Sequence, residues 1–293
     1  MVPQDRRLVR NMSQVVLNGA ETAGPNRLDG PKAGFDQVTC IVIGVSLFMA
    51  AAWVAEFRQR EWEYGLITAL NQYAGRSALL DRTVHALTSR QLLQGVVLMA
   101  MLWYLWFQAD SPEVRRRLMS GTAAAVLAGI TSRLLQIGLP THLRPLHTTA
   151  LAFVPPIGVE PDALNHFSSF PSDHGAVFFA LALVVARERP LLGTAAFVWA
   201  SLVDVGRAYD GFHFPSDIVG SVGLAILIVS LLEAGWIQRA ANRVLTFEAS
   251  HRASFYMLAF VMSYQIATLF DDVREIATGS ARVLLHHSPL FGG

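Results

Sequence analysis

Long apolar runs constrain this chain more than any other feature. A helix needs about 20 consecutive apolar residues to cross the hydrocarbon core of a bilayer. Val38 to Phe57 supplies such a run, with Glu56 near its end as its only charge. Similar runs extend from Leu92 to Phe107, Leu118 to Leu139, Ser172 to Ala186, Leu191 to Val205 and Ile218 to Trp236. A seventh candidate, Ala253 to Phe270, is diluted by Ser263, Gln265 and Thr268. No run alternates as a barrel strand does. The expected fold is all-α: a polytopic membrane helical bundle with six core transmembrane helices and a possible seventh near the C-terminus.

The rest of the composition fits this reading. The 293 residues are 53% hydrophobic and 15% charged, against about a quarter charged in soluble domains. A net charge of +1 argues against a nucleic-acid binder. The single cysteine, Cys40, lies in an apolar run, so neither an intrachain disulfide nor a cysteine metal site is expected. Residues 1–35 lack the apolar core of a secretory signal and read as a disordered cytoplasmic tail. Residues 36–252 read as one transmembrane domain, and residues 253–293 as the possible extra helix and a tail. Arg58 to Gln91 mixes apolar and polar positions as short interfacial helices do. The short loops bearing Arg115–Arg117 and Arg187/Arg189 point inward by the positive-inside rule. The loops bearing Arg144, His174, Arg207 and His213 then share the outer face.

Those loops carry the chemistry. Phe170-Pro171-Ser172-Asp173-His174 opens the fourth run, with Pro171 expected in the first helical turn. Unpaired N–H groups at a helix start bind phosphate, and the Ser172 hydroxyl adds a donor. A Ser-Asp pair there is equally an ordinary helix cap. Arg207, His213 and Asp217 follow at the junction of the fifth and sixth runs. His213 and Asp217, four apart across a helix start, can share a face. A carboxylate on one imidazole nitrogen leaves the other as a nucleophile. Arg144, followed by Pro145, and Arg207 are fork-shaped donors suited to phosphate oxygens. Two histidines, a carboxylate and two arginines on one face of a membrane protein point to a lipid phosphate.

Arg144-Pro145, Pro171-Ser172-Asp173-His174 and the Arg207, His213, Asp217 spacing resemble the three signature motifs of the type-2 phosphatidic acid phosphatase superfamily. Vanadium haloperoxidases and bacterial undecaprenyl-diphosphate phosphatases share that family. The resemblance runs from Leu66 to about Trp236 and takes in Leu70-Asn71 and Leu80-Asp81. It implies that His213 attacks phosphorus and forms a phosphohistidine, that Asp217 orients it, and that His174 protonates the leaving oxygen. It also implies that Arg144, Ser172, Asp173 and Arg207 hold the phosphate, with no metal and no cofactor. The expected partners are a lipid phosphate substrate and membrane lipids, with no nucleic acid.

The chain departs from the family pattern in three places. The usual lysine seven residues before the first-motif arginine is Ile137, which leaves Arg133 and His142 as substitutes. The usual glycine of the second motif is Asp173, and Ser-Phe-Pro-Ser-Asp-His is similar to the undecaprenyl-diphosphate phosphatase branch. Gly206 stands where serine is common. Asp173 is expected to keep His174 protonated as an acid. Arg133, inside an apolar run, needs a partner, and Asp204 and lipid headgroup water are the candidates. His147, His166, His286 and His287 are read as structural or solvated. The leading function is a lipid phosphatase or diphosphatase of a bacterial inner membrane. Undecaprenyl diphosphate is the favoured substrate, with phosphatidic acid and related lipids open. A phosphotransferase using the same site and a non-catalytic lipid-binding or transport bundle are the alternatives.

Overall fold

The structure is a computed structural model that describes residues 36–56, 61–165, 167–231 and 235–271. The expected N-terminal tail, His166, His286 and His287 lie outside the described residues. Every regular element among the described residues is helical. In chain order these are α1 (Gln37–Glu56), α2 (Glu61–Asn71), α3 (Ala78–Ser89), a π turn (Leu92–Val96), α4 (Val97–Gln108), α5 (Pro112–Gly138), α6 (Asp173–Glu188), α7 (Pro190–Tyr209), α8 (Pro215–Leu231), α9 (Gly235–Ser250) and α10 (Arg252–Ala267).

The central helix is α6, which packs against α5, α7 and α8. Ala176 to Ala182 are buried without interruption, as are Val184 and Val185. A helix that is apolar all round belongs inside a bundle, and small alanines let its neighbours approach. At the end of the bundle away from the motifs, Arg117 of α5 holds Glu188 of α6 through two bonds of 2.7 and 2.8 Å. On the outside, α1 lies along α8. Their contact depends on glycine. A Cβ on Gly44 would lie 2.7 Å from Leu227 N, and one on Gly223 would lie 2.6 Å from Phe48 N. Close backbone approach through small residues is how helices associate without a hydrophobic driving force.

The chain is an integral membrane protein. Three helices, α1, α5 and α7, are long and apolar enough to cross a bilayer, and the pair Ala78–Ser89 and Leu92–Gln108, bent by 70°, passes the same test as a broken span. The shorter α6 and α8, of 16 and 17 residues, occupy the fourth and sixth expected spans. One boundary differs from expectation. The third span begins earlier, at Pro112, capped by the Ser111 hydroxyl on Val114 N. Within the run from Ile218 to Trp236 the structure describes α8 as far as Leu231 and the amphipathic α9 from Gly235. The last expected span is the 16-residue α10.

The segment between the first two spans forms α2 and α3, which pin the long loop after α5. Asn71 donates to Val154 O at 2.7 Å and accepts from Val154 N at 2.9 Å. Asp81 accepts from Ile157 N at 3.1 Å, from Gly75 N at 3.0 Å and from the Tyr209 hydroxyl. The π turn exposes the Leu93 carbonyl, which Trp199 Nε1 of α7 satisfies at 2.8 Å.

Gly223→Val should force α1 away from α8. The expected cost is about 2 kcal/mol, read as a lower unfolding midpoint of the purified protein in detergent.

Candidate functional site

The α5–α6 loop, the start of α6, the end of α7 and the start of α8 converge at one end of the bundle. Pro171 lies two residues before α6, not in its first turn, and Ser172 is the N-cap. The Ser172 hydroxyl accepts from Gly175 N at 3.1 Å and donates to Asp204 Oδ1 at 2.9 Å. Its backbone N–H donates to the Asp217 carbonyl at 3.2 Å, which ties α6 to α8. On the other side, Gln136 and Ser132 of α5 donate to the Pro171 carbonyl at 2.7 and 3.3 Å. Two of the first N–H groups of α6 are therefore answered by side chains: Gly175 by Ser172, and His174 by Asp173 Oδ1 at 3.0 Å.

The turn between α7 and α8 fixes His213. Gly211 has φ +79, and its missing Cβ would lie 2.7 Å from the Phe153 ring. Only glycine meets both conditions. Helix α8 begins at Pro215, where Glu63 Oε1 of α2 accepts from Ser216 N at 2.7 Å and Asp217 Oδ2 accepts from Phe214 N at 2.7 Å. His213 is fully buried. Its Nδ1 lies 3.0 Å from the Ser169 carbonyl oxygen and 3.6 Å from Asp217 Oδ2. A carbonyl can only accept, so Nδ1 carries the proton and Nε2 carries the lone pair. Nε2 is buried and has no hydrogen-bond partner among the described residues. The sequence pointed to Asp217 as the orienting group. The geometry adds the Ser169 carbonyl as the closer partner.

Two arginines surround this imidazole. Arg144, 3% exposed, donates to Phe212 O at 2.7 Å and Ser168 O at 3.1 Å. Arg207, 6% exposed, lies over the Phe212 ring at 5.2 Å, and its buried Nε has no acceptor among the described residues. Burial, with the Arg207 charge second, brings Arg144 down to about 10, so it stays charged at neutral pH. Burial first, then the charges of Arg144 and Arg207, hold His213 well below the ordinary imidazole value and keep it neutral.

His174 stands across the site on α6. Its Nδ1 faces Asp173 Oδ1 at 3.1 Å, and its ring meets Phe178 edge-on at 5.7 Å. Asp173 Oδ2 lies 3.9 Å from Arg133 Nη1. This corrects the expected partner of Arg133. It lies beside Asp173, donates to Gln136 Oε1 at 2.8 Å and covers the Phe167 ring at 4.6 Å. Asp204 instead takes the Ser172 hydroxyl. One helical turn beyond Arg133, Ile137 is 75% exposed on the outside of α5.

All seven expected site residues thus gather at one place. The sequence missed Arg133 as a neighbour of Asp173, and it missed the Ser168 and Ser169 carbonyls. His142 packs behind the site, with Nε2 3.5 Å from Glu56. His147 bonds the Ala163 carbonyl at 2.8 Å. Among the described residues no group of three His, Cys, Asp or Glu side chains converges as metal ligands do.

Residues 140–240 match the model of the PAP2 superfamily. Two curated proteins resemble the chain. "Putative undecaprenyl-diphosphatase YbjG" of Escherichia coli (strain K12) is 29% identical over 177 residues, covering 59% of this chain and 80% of that protein. Undecaprenyl-diphosphatase BcrC of Bacillus subtilis (strain 168) is 21% identical over 165 residues, covering 56% of this chain and 79% of that protein. Among solved structures, a transmembrane PAP2-type phosphatidylglycerolphosphate phosphatase from Bacillus subtilis aligns with a TM-score of 0.46 at 17% identity, over 68% of this chain and 95% of that one. The matched segment holds Arg144, the Ser172–His174 helix start and the Arg207–Asp217 turn, so the part of the chain that forms the site is the part similar to the PAP2 superfamily.

Proposed function

We propose that the chain hydrolyses a lipid phosphate or diphosphate through a phosphohistidine on His213. The observation that carries this reading is the buried imidazole whose Nδ1 is pinned to a carbonyl and whose Nε2 has no partner among the described residues, beside two guanidinium groups. A site for binding alone has no need of a neutral, oriented imidazole. In the first half-reaction the Nε2 lone pair attacks phosphorus and the bond from phosphorus to the leaving oxygen breaks. His174 gives that oxygen its proton from Nε2, while Asp173 holds Nδ1–H. In the second, water attacks phosphorus, His174 takes the water proton, and the N–P bond breaks to restore His213. The nearby Asp217 carboxylate stabilises the positive phosphoimidazole, and Arg144 and Arg207 neutralise charge building on the phosphoryl oxygens. The backbone and hydroxyl at Ser172 and Asp173 complete the phosphate pocket once Ser172 turns from Asp204. Arg133 offers a third cation close by, in place of the lysine expected at Ile137.

The favoured substrate is undecaprenyl diphosphate. Support comes from the two relatives named as undecaprenyl-diphosphatases and from the Ser-Phe-Pro-Ser-Asp-His sequence. The arginines of the short loops favour a site on the extracytoplasmic face of a bacterial inner membrane.

Phosphate release from undecaprenyl diphosphate and phosphatidic acid, in detergent with EDTA, tests the reading. Wild-type release should survive EDTA and vanish in His213→Ala. Release retained by that variant removes His213 as the nucleophile. His174→Asn should lose about 10² to 10⁴-fold in kcat on the lipid, and far less on p-nitrophenyl phosphate, whose leaving group needs no proton.

The acid limb of kcat/KM reports His213 in the free enzyme, so it should fall below the ordinary imidazole value of about 6.5. Removing a neighbouring positive charge favours protonation. Arg144→Gln should therefore move the limb to higher pH, whatever it does to the maximal rate. A limb that stays in place would detach the arginines from His213.

A further inference from the structure

A cavity of about 310 Å³ opens beside the phosphate site. Its walls include Val126 and Ile130 of α5, Val177 of α6, and Ile266, Leu269 and Phe270 at the end of α10. Of its lining residues only Arg133 and Asp173 carry charge, and Asp173 bonds His174. The cavity therefore has an apolar body and one charged rim, and that rim is shared with the reacting groups.

The end of α10 is shaped for this position. The helix packs against the π turn and stops at Ala267. Leu269 and Phe270 then adopt φ of +51 and +58, the left-handed region that non-glycine residues rarely enter. Both side chains become part of the cavity wall. Ile266 also walls a second, largely apolar cavity of about 350 Å³ between α4, α5, α9 and α10. Helix α10 lies beyond residues 140–240, the segment that carries the family motifs.

We propose that the cavity beside Arg133 and Asp173 holds the hydrocarbon chain adjoining the substrate phosphate. Helix α10 supplies its far wall, and the second cavity receives the continuation of a long chain. This rests on the lipid phosphatase reading. The occupant follows from charge complementarity: an anionic head belongs among Arg133, Arg144 and Arg207, and the only apolar volume touching that cluster is this one among the cavities described. Each cavity has the size of a small-ligand pocket, which suits one chain taken end to end.

Two measurements test it on the full chain in detergent. The first is photolabelling with a polyprenyl phosphate bearing a diazirine on its phosphate-proximal isoprene. Label should appear in the peptides containing Val126–Ile130 and Ile266–Phe270. Excess unlabelled polyprenyl phosphate should remove it, and phosphatidylcholine should not. Label elsewhere, or equal competition by phosphatidylcholine, overturns the proposal, the latter making the cavity a groove for bulk lipid.

The second measurement is the kinetics of Ile130→Trp. Ile130 is 52% exposed, so the fold tolerates the larger ring while the cavity loses volume. KM for a long-chain polyprenyl diphosphate should rise about tenfold, the equivalent of losing contact with a methylene or two. kcat/KM for isopentenyl diphosphate, with the same head and five carbons, should not change. No change on either substrate, or equal losses on both, overturns the proposal. If the wild type hydrolyses neither, the phosphatase reading falls by itself, and the photolabel still decides who occupies the cavity.

Discussion

A guanidinium buried in an apolar bundle is the constraint around which this end of the molecule is arranged. Such a charge is tolerated only with acceptors or counter-charges close by. Arg144 has two backbone carbonyls. Arg207 has an aromatic face and an unanswered Nε. Their carboxylate neighbours also serve other groups: Asp204 takes the Ser172 hydroxyl, Asp217 the Phe214 N–H, and Asp173 the groups of His174 with Arg133 beside it. The carboxylates lower the cost of the two cations without cancelling their field. That residual field adds to burial, the larger cause, in keeping His213 neutral, and it is the field a phosphoryl group would meet.

Holding like charges together requires a rigid surround, and the fold supplies it from several directions. The adjacent carbonyls of Ser168 and Ser169 bind Arg144 and His213 respectively, so one stretch of backbone sets the spacing between them. Helix α5 grips that stretch through Gln136 and Ser132 on Pro171 O. Helices α2 and α3 fasten the rest of the loop through Asn71 and Asp81, and Glu63 of α2 caps α8. The polar residues ahead of the second span thus serve the site without entering it.

How far the sequence disclosed this depends on the kind of interaction. The apolar runs gave the helices, and the i, i+4 spacing of His213 and Asp217 gave their shared face. Interactions made by backbone carbonyls left no mark, because any residue type carries one. The Ser169 partner of His213 was invisible for that reason. Arg133 beside Asp173 was missed because the contact joins α5 to the start of α6 across a long loop. Pro171 was placed a residue or two too deep because a proline before a cap and a proline inside the first turn look alike in sequence.

The length of the central helix has a further physical consequence. At 1.5 Å per residue, the 16-residue α6 spans about 24 Å, while a typical hydrocarbon core is about 30 Å thick. Helix α6 is enclosed by α5, α7 and α8, so no lipid lies around it to thin, and the shortfall is met inside the protein. At least one end of α6 then sits below the bilayer surface, screened from lipid by its longer neighbours α5 and α7, of 27 and 20 residues. Charged groups at a recessed helix end meet a lower dielectric than groups at the surface, and their attraction for an anion is correspondingly stronger.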